Sequence, residues 1–235
     1  MKLGLIGGTG PVSTMPYYLG VVYGVQEKVD PRFFPNLTIE SVNVFHILDM
    51  CRDGKFDELT DYLLEAVNNL VRAGAEIVAL TANTSHIVYD ALQEKSPVPI
   101  VSIIESTCRE AQRRGYTKVG LLGTMFTMTG HFYRKPFAEA GIDLVTPDTA
   151  DMEYVDRKIS EELEYNIVKE ETLRRFQEII TNMRERDGIE AVILGCTELP
   201  ILLNDTNTPV PCLDTVHIHI KDLVSAVLDS QDEVS

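Results

Sequence analysis

No apolar run in this 235-residue sequence approaches the ~20 residues needed to span a bilayer, and the chain opens directly on a short strand-like segment. Neither a membrane span nor a secretory signal peptide is expected. Basic residues are scarce, 21 Lys and Arg against 36 Asp and Glu, for a formal net charge of −15. Phosphate backbones are bound by basic surfaces, so nucleic acid is not an expected partner. A small anionic ligand is not excluded, because a few backbone N–H groups at a helix N-terminus bind a carboxylate even in an acidic protein. Cysteine is sparse too. Cys51, Cys108, Cys196 and Cys212 show no CxxC spacing, which argues against disulfides or zinc and makes the cytoplasm the expected compartment.

What is present is an alternation of short apolar runs with longer amphipathic ones. The strand candidates are KLGLIGG from Lys2, LTIESV from Leu37, EIVALTA from Glu76, PIVSII from Pro99, KVGLLGT from Lys118, DLVTP from Asp143, EAVILGC from Glu190 and PCLDT from Pro211. They are continuous and rich in Val, Ile and Leu, as parallel strands buried on both faces must be. Phe56–Ala73 has helical periodicity, with Leu59, Leu63, Ala66 and Leu70 on one face and Gly74 as the stop. Strand, helix, strand at this rhythm predicts an α/β fold with parallel sheets.

The sequence also repeats. KLGLIGGT at Lys2 resembles KVGLLGT at Lys118, EIVALTANT at Glu76 resembles EAVILGCTE at Glu190, and PVPIVSIIE at Pro97 resembles PVPCLDTVH at Pro209, in the same order and offset by 112 to 116 residues. Three matched segments in one order predict two similar α/β domains related by a pseudo-two-fold. The expected division is residues 1–104 plus 211–235 for the N-terminal domain and 105–210 for the C-terminal one. Ligands of parallel sheets bind beyond the carboxyl ends of the strands. The expected site is therefore a cleft between the domains, lined by GGTGP, TANTSH, GTMFT and GCTE.

GCTE carries the sharpest chemical signal. Cys196 comes after a buried strand, where a helix start would lower a thiol pKa, and Gly195 before it would allow close substrate approach. Glu198 is near enough to hold a proton or orient an ammonium. A buried packing cysteine is the bland reading, and Cys51, Cys108 and Cys212 are assigned to it. In the Gly7-Gly8-Thr9-Gly10-Pro11 turn, a dinucleotide fingerprint is disfavoured, because Ser13 stands at the third glycine and Pro11 removes an amide. That turn reads better as backbone N–H groups and the Thr9, Ser13 and Thr14 hydroxyls facing a smaller anion. Asn83 and Thr84 offer an amide and a hydroxyl, or simply a helix N-cap. Thr124 and Thr127 look like a second hydroxyl-lined cradle. Lys169 either pairs with a substrate carboxylate or is solvated surface. His217 and His219 have the spacing of a strand-borne metal pair without a third ligand, so no metal is expected and one of them reads as a core or cleft hydrogen-bonder.

GLIGGTGPVST, TANTSH, GLLGTMFTM, GCTE and LDTVHIH, in this order, resemble the cofactor-independent aspartate/glutamate racemases over nearly the whole chain. The resemblance implies a homodimer that racemises an acidic amino acid, or acts on a related dicarboxylate, at Cα with no cofactor, using two cysteines on opposite faces of the substrate. It implies Cys196 as the second-half acid/base, and Gly8, Thr9, Asn83, Thr84, Thr124, Lys169 and Thr197 as substrate contacts. The first-half cysteine, which normally precedes the Asn-Thr pair, is replaced by Ala82, and Val12 stands where relatives often carry an acid. Four readings of Ala82 are open. Another group such as Thr81, Thr84 or Ser85 does the first-half proton transfer. Or the enzyme is a single-cysteine decarboxylase or isomerase, as in the similar arylmalonate decarboxylases. Or the alanine is an introduced substitution. Or the protein is an inactive relative that binds an amino acid.

Overall fold

The computed structural model describes residues 1–9 and 11–229, and of Pro11 and Val12 the backbone only. The expectations for Gly10 and for the side chains of Pro11 and Val12 fall outside the described residues.

All eight apolar runs form strands. β1 (Leu3–Gly7), β3 (Ile77–Leu80) and β7 (Ala191–Leu194) are buried at every position, and β5 (Lys118–Leu122) at all but its first. β2 (Leu37–Ser41) and β6 (Asp143–Val145) are partly exposed, and β4 (Ile100–Val101) and β8 (Cys212–Asp214) are short. This is the burial expected of parallel sheets whose central strands are covered on both faces. The strands pair in the orders β2-β1-β3-β4 and β6-β5-β7-β8, and every pairing is parallel.

Between and around them run α1 (Pro11–Val29), α2 (Val44–Arg52), α3 (Phe56–Arg72), α4 (Tyr89–Lys95), α5 (Ile103–Arg113), α6 (Met125–Thr129), α7 (His131–Glu139), α8 (Thr149–Glu161), α9 (Glu170–Asp187) and α10 (Thr215–Asp229). α3 buries the apolar face that its periodicity predicts and ends at a cap on Ala73, with Gly74 next at a φ of 90°. No helix among the described residues is long and apolar enough to cross a membrane.

The chain divides into two compact units. One comprises Met1–Ile103 and the chain from Val216, the other Ile104–Thr215. The return to the first unit thus falls at Val216 rather than at 211. The cause is β8, which hydrogen-bonds to β7 as the fourth strand of the second sheet and holds Cys212–Asp214 there. The first unit packs Leu3, Leu5 and Ala79 against Tyr17, Val21 and Val25 of α1 and Leu223 and Val224 of α10. The second packs Val192 and Leu194 against Val155, Phe176, Ile180 and Met183.

The repeat is legible in the strand register. Leu3 pairs Ile77 as Val119 pairs Ala191, and Val78 pairs Ile100 as Val192 pairs Cys212. The offset is therefore 116 residues from β1 to β5, 114 from β3 to β7 and 112 from β4 to β8. In each sheet the order reverses beside the first strand, between β1 and β3 and between β5 and β7. Such switch points are where open α/β sheets bind ligands. Ala82 lies two residues past the end of β3, and Cys196 two residues past the end of β7.

Candidate active site

At the first switch point, β1 ends in a turn that only glycine fits. Gly8 has a φ of +77°, and a Cβ there would stand 2.2 Å from the Val42 carbonyl oxygen. Its N–H donates to Thr14 Oγ1 at 3.0 Å, and Ser13 Oγ donates to the Thr9 carbonyl at 3.3 Å. The expectation of amides and hydroxyls turned toward an anion is corrected here for Gly8, Ser13 and Thr14, which brace the turn instead. Thr9 Oγ1 shares a hydrogen bond of 3.1 Å with Thr81 Oγ1, and the Thr81 hydroxyl also lies 3.0 Å from the Ile6 carbonyl. Those contacts tie the β1 turn to the β3 turn.

The β3 turn runs through half-buried Ala82, buried Asn83 and half-buried Thr84 into a short 3₁₀ turn, Thr84–Val88. Asn83 heads that turn without a side-chain capping bond, so the cap reading of Asn83 is not met. The structure thus gathers Gly8, Thr9, Ala82, Asn83 and Thr84 on adjacent strand ends of the first unit.

At the second switch point, Thr124 caps α6, accepting from Thr127 N–H at 3.4 Å, and the two hydroxyls lie 3.2 Å apart. The Met125 N–H, at the start of α6, donates to Asp156 Oδ1 at 2.7 Å. The carboxylate at this cradle belongs to the protein. Gly195 is glycine for packing rather than for substrate approach, since a Cβ there would stand 2.8 Å from the Leu122 carbonyl oxygen and 3.1 Å from the Thr127 methyl.

Cys196 is half-buried, and its Sγ–H donates to Glu198 Oε2 at 2.9 Å. The same oxygen accepts from Thr197 Oγ1 at 2.7 Å. Burial, together with the Glu198 carboxylate, pushes the Cys196 thiol well above the ordinary thiol range, with Glu164 adding to it. The expected lowering by a helix start is therefore corrected. Cys196 leads into a three-residue 3₁₀ turn, Leu199–Ile201, too short to present a helix dipole, while a carboxylate touches the sulfur. Glu164 is itself raised, first by desolvation and then by Glu198 and Asp156. Neither Glu164 nor Asp156 was found from sequence, because nothing in their own segments marks them as neighbours of this turn.

Lys169 does not stand free for a substrate. Its Nζ lies 3.0 Å from Oε1 of Glu162, a carboxylate that is 3% exposed and also accepts from Lys158 and from Thr172 Oγ1 at 2.6 Å. Burial works against the charge on Glu162, yet these donors outweigh it and hold its pKa down at about 2. His217 and His219 are on a helix, not a strand, so their spacing points them apart. His219 is the core hydrogen-bonder, with Nδ1 2.8 Å from Tyr17 Oη and Nε2 3.0 Å from the Val101 carbonyl. Cys51, Cys108 and Cys212 are buried and packed, as expected.

A thiol sharing a hydrogen bond with a carboxylate, on a strand end at a switch point, is equipped to give a proton to carbon or take one from it. Comparison with known proteins places the chain in a family. The family model described as Asp/Glu/Hydantoin racemase matches residues 6–223. The chain is 26% identical over 235 residues to the broad specificity amino-acid racemase RacX of Bacillus subtilis, covering 97% of this chain and 99% of the relative. A crystal structure of an aspartate racemase homologue from Pyrococcus horikoshii superposes with a TM-score of 0.84 at 38% identity, covering 96% of this chain and 98% of that one. The aspartate racemase of Picrophilus torridus shares the fold, with a TM-score of 0.74 at 18% identity over 97% of this chain and 93% of that one.

Proposed function

The chain belongs to the Asp/Glu/hydantoin racemase family, and from that premise we propose that it moves a proton at Cα of aspartate or glutamate, with Cys196 as the acid/base. The observation that carries this reading is the Sγ–H of Cys196 donated to Glu198 at 2.9 Å. In the base direction the thiol proton passes to Glu198 along that bond. The thiolate then takes the Cα proton, leaving the electron pair on Cα to delocalise into the substrate's carboxylate. In the acid direction Cys196 Sγ–H returns a proton to Cα. No cofactor enters these steps. Thr9, Asn83, Thr84, Thr124, Thr127 and Thr197 are assigned to substrate contact. Lys169 is assigned to substrate only if Glu162 releases it.

Ala82 holds the strand position equivalent to Cys196, and its methyl group transfers no proton. One enantiomer is therefore expected to exchange its Cα–H far faster than the other. Exchange followed by NMR in deuterium oxide with L- and D-aspartate and glutamate tests this. Exchange with none of the four, before and after Ala82→Cys, would sink the racemase reading. A second reading is favoured by the raised Cys196 thiol, which at rest is a proton donor: a single-cysteine decarboxylase or isomerase of a small dicarboxylate. Release of carbon dioxide from a substituted malonate, with no amino-acid exchange, would select it. Amino-acid binding by calorimetry with no turnover would select the inactive relative.

A further inference from the structure

The histidine of the NT-x-H stretch takes no step in the reaction proposed above, yet both of its ring nitrogens are engaged. His86 lies on the 3₁₀ turn after β3 and is 1% exposed. The Ile103 N–H points at Nε2 from 3.3 Å, and because an amide nitrogen only donates, Nε2 must carry the lone pair. The ring proton is therefore on Nδ1, where it is donated to the Ala82 carbonyl at 2.9 Å. Ile103 opens α5, and the first N–H groups of a helix have no intrahelical acceptor, so the ring also caps that helix. Burial, first among the causes, pushes the His86 pKa down to about 4, so the ring is neutral near pH 7. The Tyr89 ring stacks on it with centroids 5.7 Å apart, and Tyr89 Oη is anchored on the Ile100 carbonyl at 3.1 Å.

The Nδ1–H bond acts on one peptide, and the other contacts hold the ring in place for it. A trans peptide points its C=O and N–H to opposite sides. With the Ala82 carbonyl bound to His86, the Asn83 N–H of the same peptide faces away from the buried ring. That peptide joins Ala82, at the Cys196-equivalent position, to Asn83, which is assigned above to substrate contact. The offset of 114 residues between β3 and β7 places Pro200 at the position of His86, so the other turn has no such brace.

We propose that His86 is a positioning residue: as its Nδ1–H tautomer it fixes the Ala82–Asn83 peptide, and with it the orientation in which the turn offers Asn83 and Thr84 to a substrate. The substrate half of this inference rests on the racemase reading, whereas the tautomer half rests on geometry alone. The test joins a spectroscopic readout to kinetics. A long-range ¹H–¹⁵N spectrum of the full-length wild type is expected to show His86 as the Nδ1–H tautomer, and the Nε2–H tautomer would overturn the proposal. In Cα–H exchange kinetics, His86→Leu is expected to raise KM about tenfold, the scale of one lost hydrogen bond, with a smaller change in kcat. His86→Asn, whose side-chain N–H stands near the place of Nδ1–H, is expected to restore KM to within about threefold of wild type. Equal damage from both variants, or a loss confined to kcat, would overturn it. Should His86→Leu fail to fold, the wild-type tautomer and the Asn variant still decide. Should wild type exchange neither aspartate nor glutamate, the substrate reading fails, and the tautomer spectrum judges His86 separately.

Discussion

The turns after β3 and β7 leave equivalent strands at equivalent residues and begin with the same backbone bond. Thr81 N–H donates to the Ile6 carbonyl at 3.1 Å, and Gly195 N–H to the Leu122 carbonyl at 2.7 Å. From there they diverge. The first is braced by neutral groups that bind backbone, His86 on Ala82 and Thr81 on Ile6. The second is built around a carboxylate, Glu198, that binds side chains and touches the one sulfur at the site. One backbone plan thus serves two ends. The first turn binds backbone through His86 and Thr81, and its Thr9–Thr81 pair joins two neutral hydroxyls. In the second turn a titratable partner, Glu198, is left in contact with Cys196, the group proposed to react.

The contrast predicts unequal consequences of mutation. Cys196→Ala removes the only thiol of the two turns and should lower Cα–H exchange by about 10³-fold, within the range for losing a general acid/base. An exchange rate unchanged by NMR would place the chemistry elsewhere. Ala82→Cys makes the turns alike. The slower enantiomer should then gain about 10²-fold while the faster one changes little, read as the ratio of the two exchange rates. Equal gains for both would mean that position 82 does not face its own side of the substrate.

Glu198→Gln keeps the shape of the second turn and removes its charge. Burial still raises the Cys196 thiol, but the carboxylate no longer adds to it. The pH midpoint of iodoacetamide alkylation at Cys196 should therefore move down. A midpoint that stays put would assign the whole shift to burial.

The smallest effect is on stability. Glu162 is held at about 2 in the folded protein, below the ordinary Glu value of 4.5. A depressed carboxyl contributes stability above its unfolded pKa and loses it as pH falls through the folded one. Wild type should lose this contribution between about pH 4.5 and 2. Glu162→Gln should flatten that part of the profile and cost about 1–2 kcal/mol at pH 7 in urea unfolding.

Much of the fold could be read from the sequence, because it depends on patterns local to each strand. LGLIG, IVAL and AVIL are buried end to end, and a run with no polar position has only a covered sheet to occupy. The alignment of Ala82 with Cys196 was legible for the same reason, since the matched runs fix the register. The boundary near 211 was less legible. PCLDT reads as a strand in either unit, and only its hydrogen bonds to β7 assign it to the second.

The sequence by itself therefore determined the pair of α/β units, the strand ends that carry the candidate residues, and the absence of a cysteine at position 82. Periodicity and repeat register encode these, and both survive in a one-dimensional string. The tertiary structure alone decided the state of those residues. It turned the Cys196 thiol into a donor to Glu198, gave Lys169 to Glu162, placed Asp156 on the Met125 amide and set the proton of His86 on Nδ1. Each of these depends on which charges and hydrogen-bond partners come within about 3 Å, and on how much water is kept away. Neither quantity is carried by the order of residues along the chain.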